Sequence, residues 1–346
     1  MSIEERFERD MKLIVDECRE KFGDLEAIIL YGGYGRDEGA WYCSDVGWSP
    51  YNDYDILIVS EQKVAKSIID NLRKELASRI GINWVDISIM SSKKISNLKP
   101  SIYNYDLKYG SKVLFGNRKI LDLIDLGENI KLPLIEIRNL FLTRLFTLID
   151  SPKSADFDTD LNENEALFFR NQLAKSVLAS VDVQLILSGQ YNTSYVKRCG
   201  LLLDKSSNDK ELVEWALKEK LTPTYQTLDR DRAKQLYREC SRYFMKHMKI
   251  GLSNLYNLEI SSASKFLAQY FIDRDIIARR IYYGLLLNGY MEKTLRCHAL
   301  QVYYAFAFLN EPSDYRARDK LSQSFTCDGA EYDLIRKEIA KLRLSL

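Results

Sequence analysis

The sequence predicts an α+β protein in which a small mixed β-sheet domain precedes an α-helical domain. Short apolar runs typical of strands are confined to about the first 120 residues. From about residue 119, apolar residues recur instead at the three- and four-residue spacing of helices. The length of 346 residues also favours two domains over one. We therefore expect domains over residues 1–118 and 119–346.

The first domain begins with a predicted helix over residues 3–22. Ser2 and Glu5 have the spacing of a capping box, and Gly23 is placed to end the helix. The apolar run from Leu25 to Tyr31 then predicts a first strand. Further patterns predict strands over residues 53–60 and 84–90, a short or edge strand over 112–115, and a helix over 62–80.

The second domain is predicted to consist of helices. The segment LPLIEIRNLFLTRLFTLID has helical period, and Pro133 lies in its first turn. A long helix is predicted over residues 166–189. Pro133 and the polar segment 151–161 are the expected joints. Further helical patterns cover residues 208–220, 230–257, 263–288, 292–309 and 329–344.

Composition argues against several classes of protein. Charged residues make up 29% of the chain, but the net charge is only +1, so no basic excess indicates a nucleic-acid surface. The six cysteines are scattered without a CxxC pair, which disfavours a zinc ribbon and favours reduced thiols in the cytoplasm. The charged N-terminus lacks the apolar core of a signal peptide, and no run of about 18 apolar residues predicts a membrane span.

Three aspartates mark the starts of the second and third predicted strands. Asp53 and Asp55 alternate along one strand, so their side chains project from the same face, and Asp86 lies near the start of the next strand. Neighbouring ionised carboxylates repel each other and need a compensating charge. Carboxylate oxygens without histidine or cysteine suit a hard cation such as Mg²⁺ or Mn²⁺. If the two strands are neighbours, Asp86 completes a three-oxygen set with Asp53 and Asp55. The pattern predicts that these three residues bind two metal ions, which hold the attacking and leaving oxygens of a phosphoryl displacement.

Two glycines between the first strand and the loop fit the same chemistry. Gly32 and Gly33 follow the strand directly and precede a predicted helical turn. Backbone without side chains lets a phosphate approach closely, and exposed N–H groups can bind it. Arg36 is placed to add a cationic contact to the same phosphates.

These motifs, in this order over about residues 20–115, resemble those of the DNA polymerase β-type nucleotidyltransferase superfamily, in particular its minimal, aminoglycoside-nucleotidyltransferase-like members with a helical C-terminal domain. The resemblance implies that Gly32 and Gly33 hold the triphosphate of a nucleotide. It implies that Asp53 and Asp55 bind both metal ions and that Asp86 orients or deprotonates an acceptor hydroxyl. The helical domain would close the nucleotide cleft.

One departure from the family pattern is the long segment over residues 34–52, between Gly33 and Asp53. One interpretation is a loop that recognises the acceptor at the mouth of the cleft. The other is an ordinary insertion whose aromatic residues pack against the helical domain. The aromatic residues concerned are Trp41, Tyr42, Trp48 and Tyr51.

In the helical domain, the resemblance makes Lys175, Ser194 and Lys197 candidates for contacts with the nucleotide. Superfamily members with a helical second domain often use lysine, serine and tyrosine to grip the triphosphate or the base. The alternative for each residue is an ordinary solvated helix face.

The sequence therefore predicts an Mg²⁺-dependent, ATP- or other NTP-binding nucleotidyltransferase. It would move an NMP to a hydroxyl or phosphate of a small-molecule acceptor and release pyrophosphate. A tRNA or protein acceptor of the toxin–antitoxin type is a less favoured alternative, as is a nucleotide-binding regulatory protein without turnover. The expected partners are the NTP and the acceptor, with no membrane. The identity of the NTP and the oligomeric state are not predicted.

Overall fold

The computed structural model describes residues 1–269, apart from residues 45–46, 63, 129, 151–158, 204–208, 263–264 and 267–268. The chain divides into two compact units. One unit contains residues 1–136 and 160–229, and the other contains residues 137–159 and 230–346. The predicted domain boundary at residue 118 stays a prediction.

The described elements give the α+β class that the sequence predicts. The strands are β1 (Ala27–Tyr31), β2 (Trp41–Ser44), β3 (Gly47–Pro50), β4 (Tyr54–Val59), β5 (Val85–Met90) and β6 (Lys112–Gly116). The helices are α1 (Ile3–Lys21), α2 (Gly32–Gly35), α3 (Lys66–Ile80), α4 (Ser92–Ile95), α5 (Ile102–Tyr109), α6 (Ile135–Asp150), α7 (Glu163–Leu187), α8 (Tyr195–Leu203), α9 (Lys210–Leu221) and α10 (Arg230–Tyr256). A short 3₁₀ helix covers Ile120–Leu123.

The main sheet is mixed and has the strand order β5-β4-β1-β6. Strand β1 pairs antiparallel with both β4 and β6, whereas β4 and β5 are parallel and are joined through α3. Almost every residue of β1 and β4 is buried, because apolar clusters cover both faces of the sheet. This double burial explains why the two strands read as continuous apolar runs.

Each face of the sheet has its own core. Residues of α1 and α3, such as Ile14 and Leu76, pack on the face that carries Ile28 and Ile56. Residues from α4, α5 and the 3₁₀ helix, such as Leu107, pack on the opposite face. The predicted capping box of α1 is present, with Ser2 accepting from the backbone N–H of Glu5 and Glu5 accepting from the backbone N–H of Ser2.

Helices α7, α8 and α9 belong to the same compact unit as the sheet. Helix α7 starts with a second capping box, formed by Asn162 and Glu165, and most of its residues are buried. An isolated bridge between Leu161 and Leu228 closes this helical segment at its two ends.

The second unit is described through α10 and most of α6. Phe141 of α6 lies between Phe244 and Phe266, with ring centroids 6.0 and 5.0 Å away. The hydroxyl of Tyr237 donates to the carbonyl of Leu148. None of the helices that the structure describes is both long and apolar enough to cross a bilayer. The helices predicted over 263–288, 292–309 and 329–344 lie largely or wholly outside the described residues.

Candidate active site

The glycine turn after β1 is built around the carboxylate of Asp55. Gly32 has a φ of +67°, and a Cβ atom there would lie 1.9 Å from Oδ2 of Asp55. Only glycine satisfies both the conformation and the contact. The turn is closed by a hydrogen bond of 2.8 Å from the backbone N–H of Glu38 to the carbonyl of Gly33.

The three predicted carboxylates gather at one edge of the sheet. Asp55 on β4 is paired in register with Asp86 on β5 and with Tyr31 on β1. Residues opposite one another in neighbouring strands share a face, so these three side chains form a row across the sheet. Asp53 lies two residues before Asp55, just ahead of β4, and is exposed.

Asp55 carries the strongest electrostatic strain of the row. Burial, and after it the negative charges of Asp53 and Asp86, raise the pKa of Asp55 to about 7. The positive charges of Lys220 and Arg36 partly oppose this rise. Burial also raises the pKa of Asp86, against the effect of Arg73, whose Nη2 lies 3.2 Å from Oδ1 of Asp86. The nearby cationic side chains therefore do not fully compensate the carboxylates of Asp55 and Asp86.

The fit to a metal ion can be tested on the same residues. Within the part of the chain that the structure describes, no group of three or more His, Cys, Asp or Glu side chains is arranged to hold a metal ion. The carboxylate of Asp86 is occupied by its ion pair with Arg73. The donor chemistry and the repulsion at Asp55 nevertheless fit a hard divalent cation, which would supply the missing charge. Asp53 and Asp55, whose charges repel each other, are the more suitable ligands.

Lys220 is a residue of this site that sequence reasoning missed. It is buried near the end of α9, and its charge lowers the pKa of Asp55. Its Nζ lies 5.6 Å from the ring centroid of Tyr195. A signal was present in the sequence, because Lys220 continues the buried stripe that Val213 and Ala216 begin on α9.

The predicted helical residues occupy different environments. Ser194 precedes α8, and its Oγ donates to Glu38 at 2.7 Å and accepts from the backbone N–H of Lys197. Lys197 is exposed on α8, and Lys175 is half-buried on α7. Ser194 is thus linked to the glycine turn by its hydrogen bond to Glu38, whose backbone N–H donates to the carbonyl of Gly33. The nucleotide contacts of Ser194, Lys175 and Lys197 stay predictions.

Glu38 joins the glycine turn to the start of α8. Its buried carboxylate accepts hydrogen bonds from Ser194 Oγ and from the backbone N–H groups of Tyr195 and Val196, at 2.7, 2.7 and 3.1 Å. A carboxylate at a helix N-terminus is favourable because it meets unpaired N–H groups and the positive end of the helix dipole. Neither the residue nor its partner helix was identified from the sequence.

Arg36 lies in a buried ion-pair network. Its Nη1 is 3.0 Å from Oδ2 of Asp106, and its guanidinium lies over the ring of Tyr195. Arg198 covers the same ring and pairs with Asp182 at 2.5 Å. Burial raises the pKa of Asp106 to about 6, against the charges of the two arginines. Arg36 therefore has protein partners already, and its predicted phosphate contact stays a prediction.

The segment over residues 34–52 contains the antiparallel hairpin of β2 and β3 rather than a loop. Sequence reasoning missed these strands because they are only four residues long. Tyr42 packs against Tyr51 and Tyr225, and the Tyr51 hydroxyl donates to the carbonyl of Leu167. These contacts with the α7–α9 segment favour the interpretation of an insertion packed against helices.

Comparison with known proteins gives structural similarities only. No family model and no curated protein matches the chain. Similar solved structures include the complex of tri-AMPylated Shewanella oneidensis HEPN toxin with MNT antitoxin, at 16% identity and a TM-score of 0.23, covering 34% of this chain and 78% of that chain. A toxin–antitoxin structure with AMP-PNP matches at 17% identity and a TM-score of 0.25, covering 33% and 79%.

Spectinomycin adenyltransferase AAD(9) from Enterococcus faecialis, with ATP and spectinomycin, matches at 13% identity and a TM-score of 0.39, covering 69% of this chain and 99% of that chain. Because these TM-scores lie below 0.5, the similarities carry no inference about individual residues. The elements of the chain itself are informative: a glycine turn follows β1, an aspartate pair lies at the start of β4, and a third aspartate lies on β5, the parallel neighbour of β4. The described elements therefore have the α+β class and the order that the sequence predicts for a nucleotidyltransferase domain.

Proposed function

We propose that the protein is a nucleotidyltransferase that uses a divalent metal ion to transfer an NMP from an NTP to a small-molecule acceptor. One observation carries this proposal: Asp55 lies against Gly32, and burial together with the charges of Asp53 and Asp86 raises its pKa to about 7. A carboxylate cluster at a glycine turn is costly unless cations and a phosphate ligand complete it.

Asp53 and Asp55 are the proposed ligands of the metal ions, with Asp86 as the third carboxylate. The ions would neutralise the triphosphate and stabilise the charge that develops during transfer. The backbone at Gly32 and Gly33 lets the phosphates approach. Asp86 would accept the proton of the acceptor hydroxyl, because its raised pKa makes it a stronger base than an ordinary aspartate.

Lys220 is the proposed cationic contact to the phosphates from the helical side. It is buried and close enough to Asp55 to affect that residue's pKa. A buried ammonium favours a neighbouring anion because the low local dielectric strengthens their attraction. Lys175, Ser194, Lys197 and Arg36 are weaker proposals, and Arg36 and Ser194 would have to change partners to reach a ligand.

The acceptor is proposed to be a small molecule rather than RNA or a protein side chain. The net charge of +1 offers no general attraction to a polyanion. AAD(9) is an adenyltransferase solved with ATP and spectinomycin, and we propose ATP and a hydroxyl-bearing small molecule for this chain by the same class of chemistry. The cytoplasmic location inferred from the cysteines stays a prediction.

A second candidate is a nucleotide-binding protein without turnover. The ion pair between Asp86 and Arg73 favours it, because Arg73 lies on α3 and holds the third carboxylate away from a role as a base. This protein would bind an NTP at the glycine turn and transfer nothing.

Label transfer separates the two candidates. The protein is incubated with each α-³²P-labelled NTP, Mg²⁺ and a size-fractionated cell extract, beside a variant carrying Asp53→Asn and Asp55→Asn. Label that enters the small-molecule fraction with the wild type alone supports the proposal. Label that enters RNA or protein instead would show that the acceptor belongs to that class and not to the small molecules. Nucleotide binding by calorimetry without transfer supports the second candidate. Full transfer by the double variant contradicts the proposed site.

A further inference from the structure

Arg36 ends the glycine turn and pairs with two carboxylates at once. It is the C-cap of α2, the short helix that Gly32 begins, and its side chain is only 9% exposed. Its Nη1 lies 3.0 Å from Oδ2 of Asp106, and its Nε lies 3.6 Å from Oε2 of Glu38. One guanidinium therefore compensates two carboxylates that come from different parts of the chain.

Tyr195 completes a closed set of contacts with this arginine. The Cζ atom of Arg36 lies over the Tyr195 ring, 4.9 Å from its centroid, which is the geometry of a cation–π contact. The backbone N–H of Tyr195 donates to Oε2 of Glu38 at 2.7 Å. Arg198 covers the same ring, with its Cζ 4.1 Å from the centroid. Arg36, Glu38 and Tyr195 thus each contact the other two.

The end of α5 packs against the same arginine. Gly110 is the C-cap of α5, and its backbone N–H donates to the carbonyl of Asp106 at 2.8 Å. A Cβ atom on Gly110 would lie 3.4 Å from Cδ of Arg36 and 3.2 Å from Cβ of Thr193. A Cβ atom on Gly35 would lie 2.9 Å from the carbonyl oxygen of Gly110. The glycine turn, the end of α5 and the segment before α8 therefore meet around the Arg36 side chain.

These contacts favour an anchoring role for Arg36 over a direct contact with phosphate. To reach a ligand, the guanidinium would have to leave Asp106 and Glu38, and two mostly buried carboxylates would lose their ion pairs with it. Removing one partner from a buried charge pair is strongly unfavourable. In its present place, Arg36 instead holds the end of the turn to α5 and to the start of α8.

We propose that Asp106 and Tyr195 are positioning residues for the nucleotide: they hold Arg36, and Arg36 holds the glycine turn in the conformation that receives phosphate. Glu38 takes part on both sides, because its backbone N–H closes the turn at Gly33 while its carboxylate contacts Arg36 and Tyr195. This inference rests on the proposed function, in which the turn binds the phosphates. It assigns Arg36 an anchoring role in place of the phosphate contact.

Replacing Asp106 distinguishes the two roles of Arg36, because they predict opposite changes in the Kd for ATP. If Arg36 binds phosphate, Asp106→Asn removes a competing negative charge, and the Kd should fall. If Arg36 is an anchor, Asp106→Asn releases it, and the Kd should rise about tenfold. Arg36→Met should give the same rise, and the double variant should bind no more weakly than either single variant, because all three lose one ion pair. Calorimetry with ATP and Mg²⁺ measures each Kd.

Tyr195 offers a conservative and a disruptive variant of the same anchor. Tyr195→Phe keeps an aromatic ring beneath Arg36 and should bind ATP within about twofold of the wild type. Tyr195→Leu removes the cation–π contact and should bind ATP about fivefold more weakly. Arg118→Met is the matched control, because Arg118 is an exposed arginine outside this set of contacts. Melting temperatures check that each variant is folded under the conditions of the assay.

Hydrogen exchange without nucleotide tests the anchor on the protein alone. The backbone N–H of Glu38 should exchange faster in Asp106→Asn and Tyr195→Leu than in the wild type, and at the wild-type rate in Tyr195→Phe and Arg118→Met. Unchanged exchange in every variant, or a lower Kd for ATP in Asp106→Asn, would overturn the proposal. A wild type that binds no NTP, together with faster exchange in those two variants, would contradict the proposed function but support the anchoring of the turn.

Discussion

Replacing Asp55 with asparagine should stabilise the metal-free protein at alkaline pH, because the change removes a carboxylate that is costly to ionise. Burial, Asp53 and Asp86 raise the pKa of Asp55 from 3.8 to about 7. At roughly 1.36 kcal/mol per pKa unit, this shift corresponds to about 4 kcal/mol. The side chain is partly exposed, so solvent screens the repulsion, and we expect a stabilisation of about 2 kcal/mol.

The effect has a defined dependence on pH. Because the folded-state pKa lies above the unfolded value, the stability contributed by the protonated carboxyl is present below about pH 4 and is lost as the pH rises through 7. Asparagine does not titrate. The melting temperature of Asp55→Asn should therefore exceed that of the wild type by roughly 4–8 °C at pH 8 and by much less at pH 4.5.

Differential scanning calorimetry in EDTA measures this difference, and addition of Mn²⁺ at pH 8 should then raise the melting temperature of the wild type more than that of the variant. Asp122→Asn is the control, because Asp122 is an exposed carboxylate outside the row. The reasoning fails if Asp55→Asn melts at or below the wild type at pH 8 in EDTA. It also fails if the difference between the two proteins does not grow with pH.

Three further predictions test separate features. Gly32→Ala should abolish transfer and lower the free energy of unfolding, measured in urea titrations, by more than about 1 kcal/mol, because the new Cβ would clash with a carboxylate oxygen of Asp55. Gly23→Ala is the control: no atom lies within 4 Å of its Cβ position, so the free energy of unfolding should change by less than about 0.5 kcal/mol. Asp182→Asn and Arg198→Met should each cost about 3 kcal/mol, and their double variant should cost less than the sum; additive losses would contradict a direct pair. A variant in which Cys297 and Cys327 are replaced by serine keeps four cysteines. Ellman's reagent should label Cys43 quickly in this folded variant, because the other three thiols are buried. A second thiol that reacts as quickly would contradict that burial.

The strands of the main sheet and the row of carboxylates could be predicted because both depend on the order of neighbouring residues in the sequence. Strand β4 was predicted over 53–60 and runs over Tyr54–Val59, and β5 was predicted over 84–90 and runs over Val85–Met90. Alternation along a strand placed Asp53 and Asp55 on one face. Asp86 was expected to complete the set if its strand lay beside that of Asp55. The register then brought Asp55 and Asp86 opposite each other.

The rest depended on contacts between distant parts of the chain. Glu38 and Arg198 are ordinary charged residues in the sequence, and only the fold shows that each is buried with partners on other elements. Lys220 could have been noticed as a charge within an apolar helix stripe, but its neighbour Asp55 is 165 positions earlier in the sequence. The hairpin of β2 and β3 was missed because strands of four residues give little alternation to recognise.

The hydrogen bonds from α8 to Glu38 affect when the glycine turn can become fixed during synthesis at the ribosome. The glycine turn is synthesised early, yet the groups that fix its far end, Tyr195 and Val196, are 157 and 158 positions further along the chain. Contacts of such long sequence separation form late in folding because a large loop must close first. A nascent chain that ends at residue 118 would contain every aspartate and glycine of the site but none of the bonds that α8 supplies. The protein would acquire a fully fixed nucleotide turn only after more than half of it had been made.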